Sequence, residues 1–278
     1  MEDKGRVNHG GHGGKTEEDL AQGHGGTEEE VTNMLDTEKA TNKYYAQWLG
    51  IDELIFNNKI NILFNPERDN IPNGYSYSVN IYILIKGETV YISYGNTLKE
   101  IVGGLMKLLQ KKHGTEYIKN LFETNFNLKL IHSIKYIYRN RIDNQDNAII
   151  LGEEHLGLFL DFFIKNNLNC NDTSWVEDYF LELVKKKYCH GIFVDGILAS
   201  ATDAPDMPYM SDCVQEIGIN TLEEFRGKGY AQMACISMIS ELVSNNICPL
   251  WSADIENNGS KKLAERIGFE KYCDVLAI

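Results

Sequence analysis

Apolar residues recur along the chain in two rhythms, one near 3.6 and one near 2. The stretch carrying Tyr44, Tyr45, Trp48 and Leu49 has helical spacing and stops at Gly50. Strand-like runs follow: KINILFN, YSVNIYILIKG and TVYISY, with a hairpin turn at Lys86-Gly87-Glu88 between the last two. From Thr97 a helix places Ile101, Leu105 and Leu108 or Leu109 on one face. LKLIHSIKYIY reads as another long strand, and the polar run RNRIDNQDN at 139–147 reads as a linker. Beyond it AIIL reads as a strand, and HLGLFLDFFIKNN and SWVEDYFLELVKKKY read as helices. HGIFVDG and ILASATD are two strands joined at Asp195-Gly196, a dipeptide suited to a tight hairpin. CVQEIGINTL is a further strand and runs straight into EEFRGKGYAQMAC. From there Ala231, Ala234, Cys235, Met238, Ile239 and Leu242 return to helical spacing.

Residues 1 to about 38 keep neither rhythm. Eight of the 24 glycines fall in the first 26 residues, and ten acidic against four basic residues up to Ala40 leave a net −6. Such a segment cannot bury enough apolar surface to offset its ordering entropy. It is expected to be a disordered tail. Its HGG repeats at His9, His12 and His24 have the composition of tracts that bind Zn, Ni or Cu, and a solvated tail is the plainer reading. The expected organisation is a tail over 1–38, a smaller α+β domain over 39–146 and an α/β domain over 147–278.

Composition narrows the function. With 278 residues, 43% of them hydrophobic, the chain can build two cores. A net charge of −13 argues against nucleic acid as the main partner. No run approaches the roughly 18 apolar residues of a membrane span. The opening MEDKGRVNHGGHGG has no apolar signal-peptide core, so a cytoplasmic location is expected. Cysteines 170, 189, 213, 235, 248 and 273 lie far apart and read as reduced thiols, without a disulfide or zinc framework. His113 and His132 stand alone and read as structural.

The chemistry concentrates at Arg226-Gly227-Lys228-Gly229, where a strand meets a helix. Glycine inside a helix costs roughly 1 kcal/mol against alanine, so glycines at its mouth need a reason. A helix N-terminus offers unpaired N–H groups and a partial positive charge, and glycines let those groups approach a phosphate. Arg226 and Lys228 add charge suited to a polyanion. An ordinary tight turn with a solvated basic pair is the alternative. A Walker loop would need a GK[ST] triplet, and a dinucleotide fingerprint would need glycine where Gln232 stands.

Arg226-Gly227-Lys228-Gly229-Tyr230-Ala231 fits Q/R-x-x-G-x-G/A, and Asn257-Asn258-Gly259-Ser260-Lys261-Lys262-Leu263 fits N-x-x-S-x-x-L, followed by Ile267-Gly268-Phe269. At this separation the two motifs resemble those of the GNAT superfamily of acyl-CoA-dependent N-acetyltransferases, over about residues 147–278. Tyr44-Tyr45-Ala46-Gln47-Trp48-Leu49-Gly50 is similar to a YYAxxLG run in two-domain members. The resemblance implies a central mixed sheet flanked by helices, with acetyl-CoA as co-substrate. Backbone N–H groups of Arg226, Gly227, Lys228, Gly229, Tyr230 and Ala231 would hold the pyrophosphate. The strand before them would splay from Cys248–Asp254, and pantetheine would pair in the gap with backbone at Ile219 to Thr221. A backbone N–H there would face the acetyl oxygen. Asn257 and Ser260 would sit near the cofactor arm, and Gly268 would cap their helix. A primary amine would attack the thioester directly, through a tetrahedral intermediate.

The chain departs from the family pattern in three places. Ala264 stands where a tyrosine acid is usual. Counting thirteen residues back from Arg226, to the usual acidic base, lands on Cys213, with Asp212 and Glu216 nearby. Glu216 is taken as the base, against a plain strand residue. Cys213 reads as an inert thiol rather than an acyl nucleophile. Only nine residues follow Phe269, enough for one strand, so either the sheet is short or the first half of the chain completes it. Trp251 and Asp206-Met207-Pro208-Tyr209 are expected either to wall an acceptor pocket or, for Trp251, to pack in the core. Four readings remain: an acetyltransferase for a small-molecule amine, which is favoured; one for a protein amine; a non-catalytic acyl-CoA sensor or scaffold; and a metal-binding scaffold centred on the HGG tail.

Overall fold

Strand β2 (Ile81–Lys86) shows how the centre is built. Ile81, Ile83 and Ile85 alternate onto one face of the sheet, while Tyr82 and Leu84 turn to the other, and all five are buried. The first face packs under helices α2 (Lys99–Leu109) and α3 (Thr115–Phe126). The second packs under α1 (Thr37–Leu49), through Tyr44, Tyr45 and Trp48. This computed structural model describes residues 36–109, 114–139, 148–170 and 172–278. The HGG repeats, His113 and all but the first residue of the 139–147 linker lie outside them.

Asp36 caps α1 by accepting from the Lys39 N–H, and Gly50 ends it in the left-handed region at φ 75°. The helix thus begins inside the stretch read as tail. The remaining strands are β1 (Ile60–Phe64), β3 (Thr89–Tyr94), β4 (Ile131–Tyr138), β5 (Ile149–Ile150), β6 (His190–Val194), β7 (Ile197–Asp203), β8 (Val214–Glu216), β9 (Gly218–Thr221), β10 (Cys248–Asp254) and β11 (Phe269–Ala277). The remaining helices are α4 (Leu156–Asn166), α5 (Val176–Lys186), α6 (Tyr230–Ser244) and α7 (Asn258–Ile267). The hairpins at Lys86-Gly87-Glu88 and Asp195-Gly196 form as expected, with Asp195 and Gly196 both at positive φ.

The strands make two sheets, ordered β1-β3-β2-β11-β4-β10-β8 and β5-β6-β7-β9. The first runs across the expected division at 146. β11 lies between β2 and β4, and pairs antiparallel with both. β10 pairs with β4, so strands from the two halves of the chain alternate in one sheet. The described residues form one unit accordingly. β11 has two hydrogen-bonding edges, and β2 and β4 satisfy both. α6 covers the smaller sheet, its Cys235, Met238, Ile239 and Leu242 sharing a core with Phe180 of α5 and Trp251 of β10.

Candidate functional site

The run CVQEIGINTL, one strand by its pattern, is split in two by the fold. β8 lies parallel to β10, with Val214 opposite Cys248 and Glu216 opposite Leu250. The Ile217 N–H still donates to Leu250 O at 3.1 Å. The chain then leaves β10 and pairs antiparallel with β7, Gly218 opposite Asp203 and Thr221 opposite Ser200. Gly218 makes this crossing possible: a Cβ there would sit 1.6 Å from Asp203 Oδ1. The same crowding buries the Asp203 carboxyl and pushes its pKa up to about 6.

Past the crossing, β9 is paired on one edge only, and a cleft of ≈520 Å³ opens between it and β10. Ile219 and Thr221 line one wall; Trp251 and Ser252 line the other. At one end stands the glycine turn. Gly227 and Gly229 have φ +77° and +87°, a region that costs other residues roughly 1–2 kcal/mol, and a Cβ on either would meet nothing within 4 Å. Bare backbone therefore faces open space. No side chain caps α6, so the N–H groups of its first turn, at Tyr230, Ala231 and Gln232, point out of the helix end toward the cleft they line. Arg226 Nε donates to Thr221 O at 3.2 Å and ties the turn to β9. The Lys228 side chain is not part of the lining: its ammonium lies over the Phe225 ring, 5.0 Å from the centroid.

The second motif closes the other side. Asn257 caps α7 by accepting from the Ser260 N–H at 3.0 Å, and Ser260 Oγ accepts from Trp251 Nε1 at 3.0 Å. Both residues line the cleft, but their side chains serve the protein itself. Trp251 is fully buried, which agrees with its reading as core packing beneath the splayed strands. Gly268 ends the helix at φ 107°. Leu263, the last residue of the motif, also lines the cleft, as does Arg266, which the sequence reading passed over although its spacing from Gly259 and Leu263 puts all three on one helical face.

Glu216 sits where the strands part. Its Oε1 lies 3.5 Å from Lys135 Nζ on β4, and that ammonium donates to Ser252 Oγ on the cleft wall at 2.7 Å. Glu216 thus has a partner the sequence did not reveal. The one available signal was a lysine inside the strand run LKLIHSIKYIY. Four phenols, Tyr44, Tyr45, Tyr75 and Tyr82, are held protonated by burial first and by the Glu216 charge in addition. Cys213 does not line the cleft; burial and the neighbouring Asp212 raise its thiol pKa, against a nucleophilic role. Asp206 and Met207 border a separate hollow of ≈210 Å³, and the Tyr209 ring meets Trp48 edge-on at 5.5 Å. All six cysteines are free. Among the described residues no helix is long and apolar enough to cross a membrane.

A splayed strand pair, a glycine turn at a helix mouth and a capped second helix together make up the candidate site. Residues 209–275 match a family model described as GNAT acetyltransferase. An uncharacterized N-acetyltransferase of Bacillus subtilis (strain 168), YdfB, is 44% identical over 55 residues, which are 20% of this chain and 21% of that protein. A GNAT-family acetyltransferase from Colwellia psychrerythraea superposes with a TM-score of 0.46 at 19% identity, covering 53% of this chain and 55% of that one. The structure of yncA from Salmonella typhimurium with its cofactor acetyl-CoA superposes at 0.40 with 12% identity, over 47% of this chain and 90% of that one. The chain therefore spans about a fifth of the curated relative and about half of the first structure.

Proposed function

We propose that the chain transfers an acetyl group from acetyl-CoA to a primary amine of a small molecule. The observation that carries this is the ≈520 Å³ cleft with an uncapped helix mouth at one end and Glu216 beside the other. The residues fit the co-substrate. Backbone N–H groups from Gly227 to Gln232 suit a pyrophosphate, and the free edge of β9 suits an extended amide-bearing arm. Arg226 and Arg266 supply the cationic side chains of the lining.

The chemistry falls to Glu216 and Lys135. The amine nitrogen forms a bond to the thioester carbonyl carbon, and the carbon–sulfur bond breaks. Glu216 takes the proton the amine gives up. Lys135 carries a proton at Nζ, hydrogen-bonded to Ser252 on the cleft wall, and supplies it to the departing thiolate in place of the tyrosine that Ala264 replaces. The Lys135–Glu216 pair equally suits a chain that binds acyl-CoA and does not turn over.

The test is calorimetric titration with acetyl-CoA, followed by thiol release in the presence of amines. Saturable binding with amine-dependent release supports acetyl transfer. Binding without release across a broad amine panel supports the sensor reading, and absence of binding rejects both.

A further inference from the structure

Between α1 and the seven-stranded sheet lies a second hollow, of ≈140 Å³. Six aromatic rings wall it: Tyr44, Tyr45 and Trp48 of α1, Tyr75 and Tyr77 of the loop before β2, and Tyr82 of β2. Trp48 and Tyr82 stack at 4.9 Å with planes 13° apart. Tyr75 meets Trp48 edge-on at 5.7 Å, and Tyr77 meets Tyr75 edge-on at 6.2 Å. Glu216 and Lys135 also line the hollow, and through the Lys135–Ser252 hydrogen bond this part of it abuts the acetyl-CoA cleft. Tyr77 and Ile131, each 60% exposed, stand at its rim.

Three features select an occupant. Ring faces carry partial negative charge and attract amines and other cationic heads, and the Glu216 carboxylate strengthens that field. The Tyr45 and Tyr82 hydroxyls are buried without a hydrogen-bond partner. A buried hydroxyl in that state is costly, and a ligand oxygen that accepts from it recovers the loss. The volume is close to that of a cavity that takes up one benzene molecule.

We propose that this hollow seats the acceptor, and that the acceptor is a primary amine on a compact apolar body of about six carbons, such as an arylalkylamine. The nitrogen lies at Glu216, and the carbon body lies among the rings. An oxygen substituent on that body accepts from Tyr45 or Tyr82. The proposal rests on the acetyl-transfer reading.

The test separates the two. The full chain is titrated calorimetrically with phenethylamine, tyramine, spermidine and a lysine-containing peptide, and the same amines are assayed for thiol release with acetyl-CoA. Tyr75→Ala and the rim variant Tyr77→Ala, at a position exposed enough to leave folding intact, are measured alongside. The expected result is binding and acetylation of both arylalkylamines, tyramine the tighter. Tyr75→Ala should raise their KM about tenfold, with acetyl-CoA affinity unchanged. Turnover of spermidine or the peptide alone, or a KM that neither variant moves, overturns the acceptor assignment and leaves acetyl transfer standing. Amine binding weakened by the variants, without transfer to any amine, keeps the hollow as an amine site and overturns acetyl transfer. No amine binding and no transfer overturns both.

Discussion

The two ends of the cleft are built by different means. At the glycine turn the proposed binding groups are backbone, supplied by neighbouring residues from Arg226 to Gln232 and one helix terminus. Beside the other end, at Glu216, the proposed groups are side chains that line the adjoining hollow or the cleft wall: the carboxylate from β8, an ammonium from β4, a hydroxyl from β10, and beside them rings from α1, a loop and β2. A backbone site is local and depends on conformation. A side-chain site is assembled over long sequence distances and depends on charge and shape. The first end should therefore fail when a glycine is replaced, and the second when a functional group is removed without a change of shape.

The largest effect is expected at the first end. Gly229→Glu places a carboxylate against the helix mouth at a residue with φ +87°. Acetyl-CoA affinity should fall by roughly a hundredfold or more, about 2.7 kcal/mol. Gly229→Ala carries the backbone strain alone, about 1–2 kcal/mol of stability, with a much smaller loss of affinity. Titration and thermal melts on both variants separate charge from strain. Equal affinities in Gly229→Glu and the parent would refute a backbone-built phosphate site.

At the second end, Glu216→Gln preserves shape and removes the charge. Turnover at neutral pH should drop about a hundredfold, while acetyl-CoA affinity stays within about twofold. Full turnover in this variant would leave Glu216 as the structural partner of Lys135 and place the base elsewhere.

The same contrast explains what the sequence disclosed. The glycine turn, the N-x-x-S-x-x-L run, the Gly268 cap and both hairpins are local patterns, in which residues a few positions apart dictate backbone geometry. The aromatic hollow has no such pattern. Trp48 and Glu216 share it only because β11 draws the first half of the chain into the same sheet as β10. Lys135 and Glu216 are 81 positions apart, and no periodicity connects them. The break of CVQEIGINTL at Ile217 was hidden too, because the strand changes partner there without losing its extended backbone. α3 was passed over, although Ile118, Leu121 and Phe122 recur at helical spacing and are buried.

Between the two ends, at the crossing, Asp203→Asn tests the electrostatics of the seam. Burial holds the Asp203 carboxyl near a pKa of about 6, against an ordinary value of 3.8. A raised carboxyl pKa means that the fold favours the protonated form. Its contribution to stability is complete below pH 3.8 and is lost as pH rises through about 6. At pH 7 the ionised group should cost on the order of 2 kcal/mol, which asparagine removes. Thermal melts should show Asp203→Asn more stable than the parent at pH 7 and level with it near pH 4. A constant difference across that range would mean that Asp203 keeps its ordinary pKa.

The smallest effect sharpens the comparison most, because it falls on a residue that touches the cleft without facing it chemically. Ser260 was expected near the cofactor arm, and it does line the cleft, but its Oγ is taken up by Trp251 Nε1 at 3.0 Å. Ser260→Ala leaves that indole N–H, on a buried side chain, without its acceptor. Such a loss costs roughly 1–3 kcal/mol where water is excluded, and the open cleft beside Trp251 places the expected value near 1 kcal/mol. Acetyl-CoA affinity should change less than about threefold, since the N–H groups proposed to meet the phosphates, from Gly227 to Gln232, are untouched. Denaturant unfolding and titration on this one variant give both numbers. A large loss of affinity with stability intact would show that the hydroxyl turns to the co-substrate when it binds, and that the cleft's second wall is a side-chain site as well.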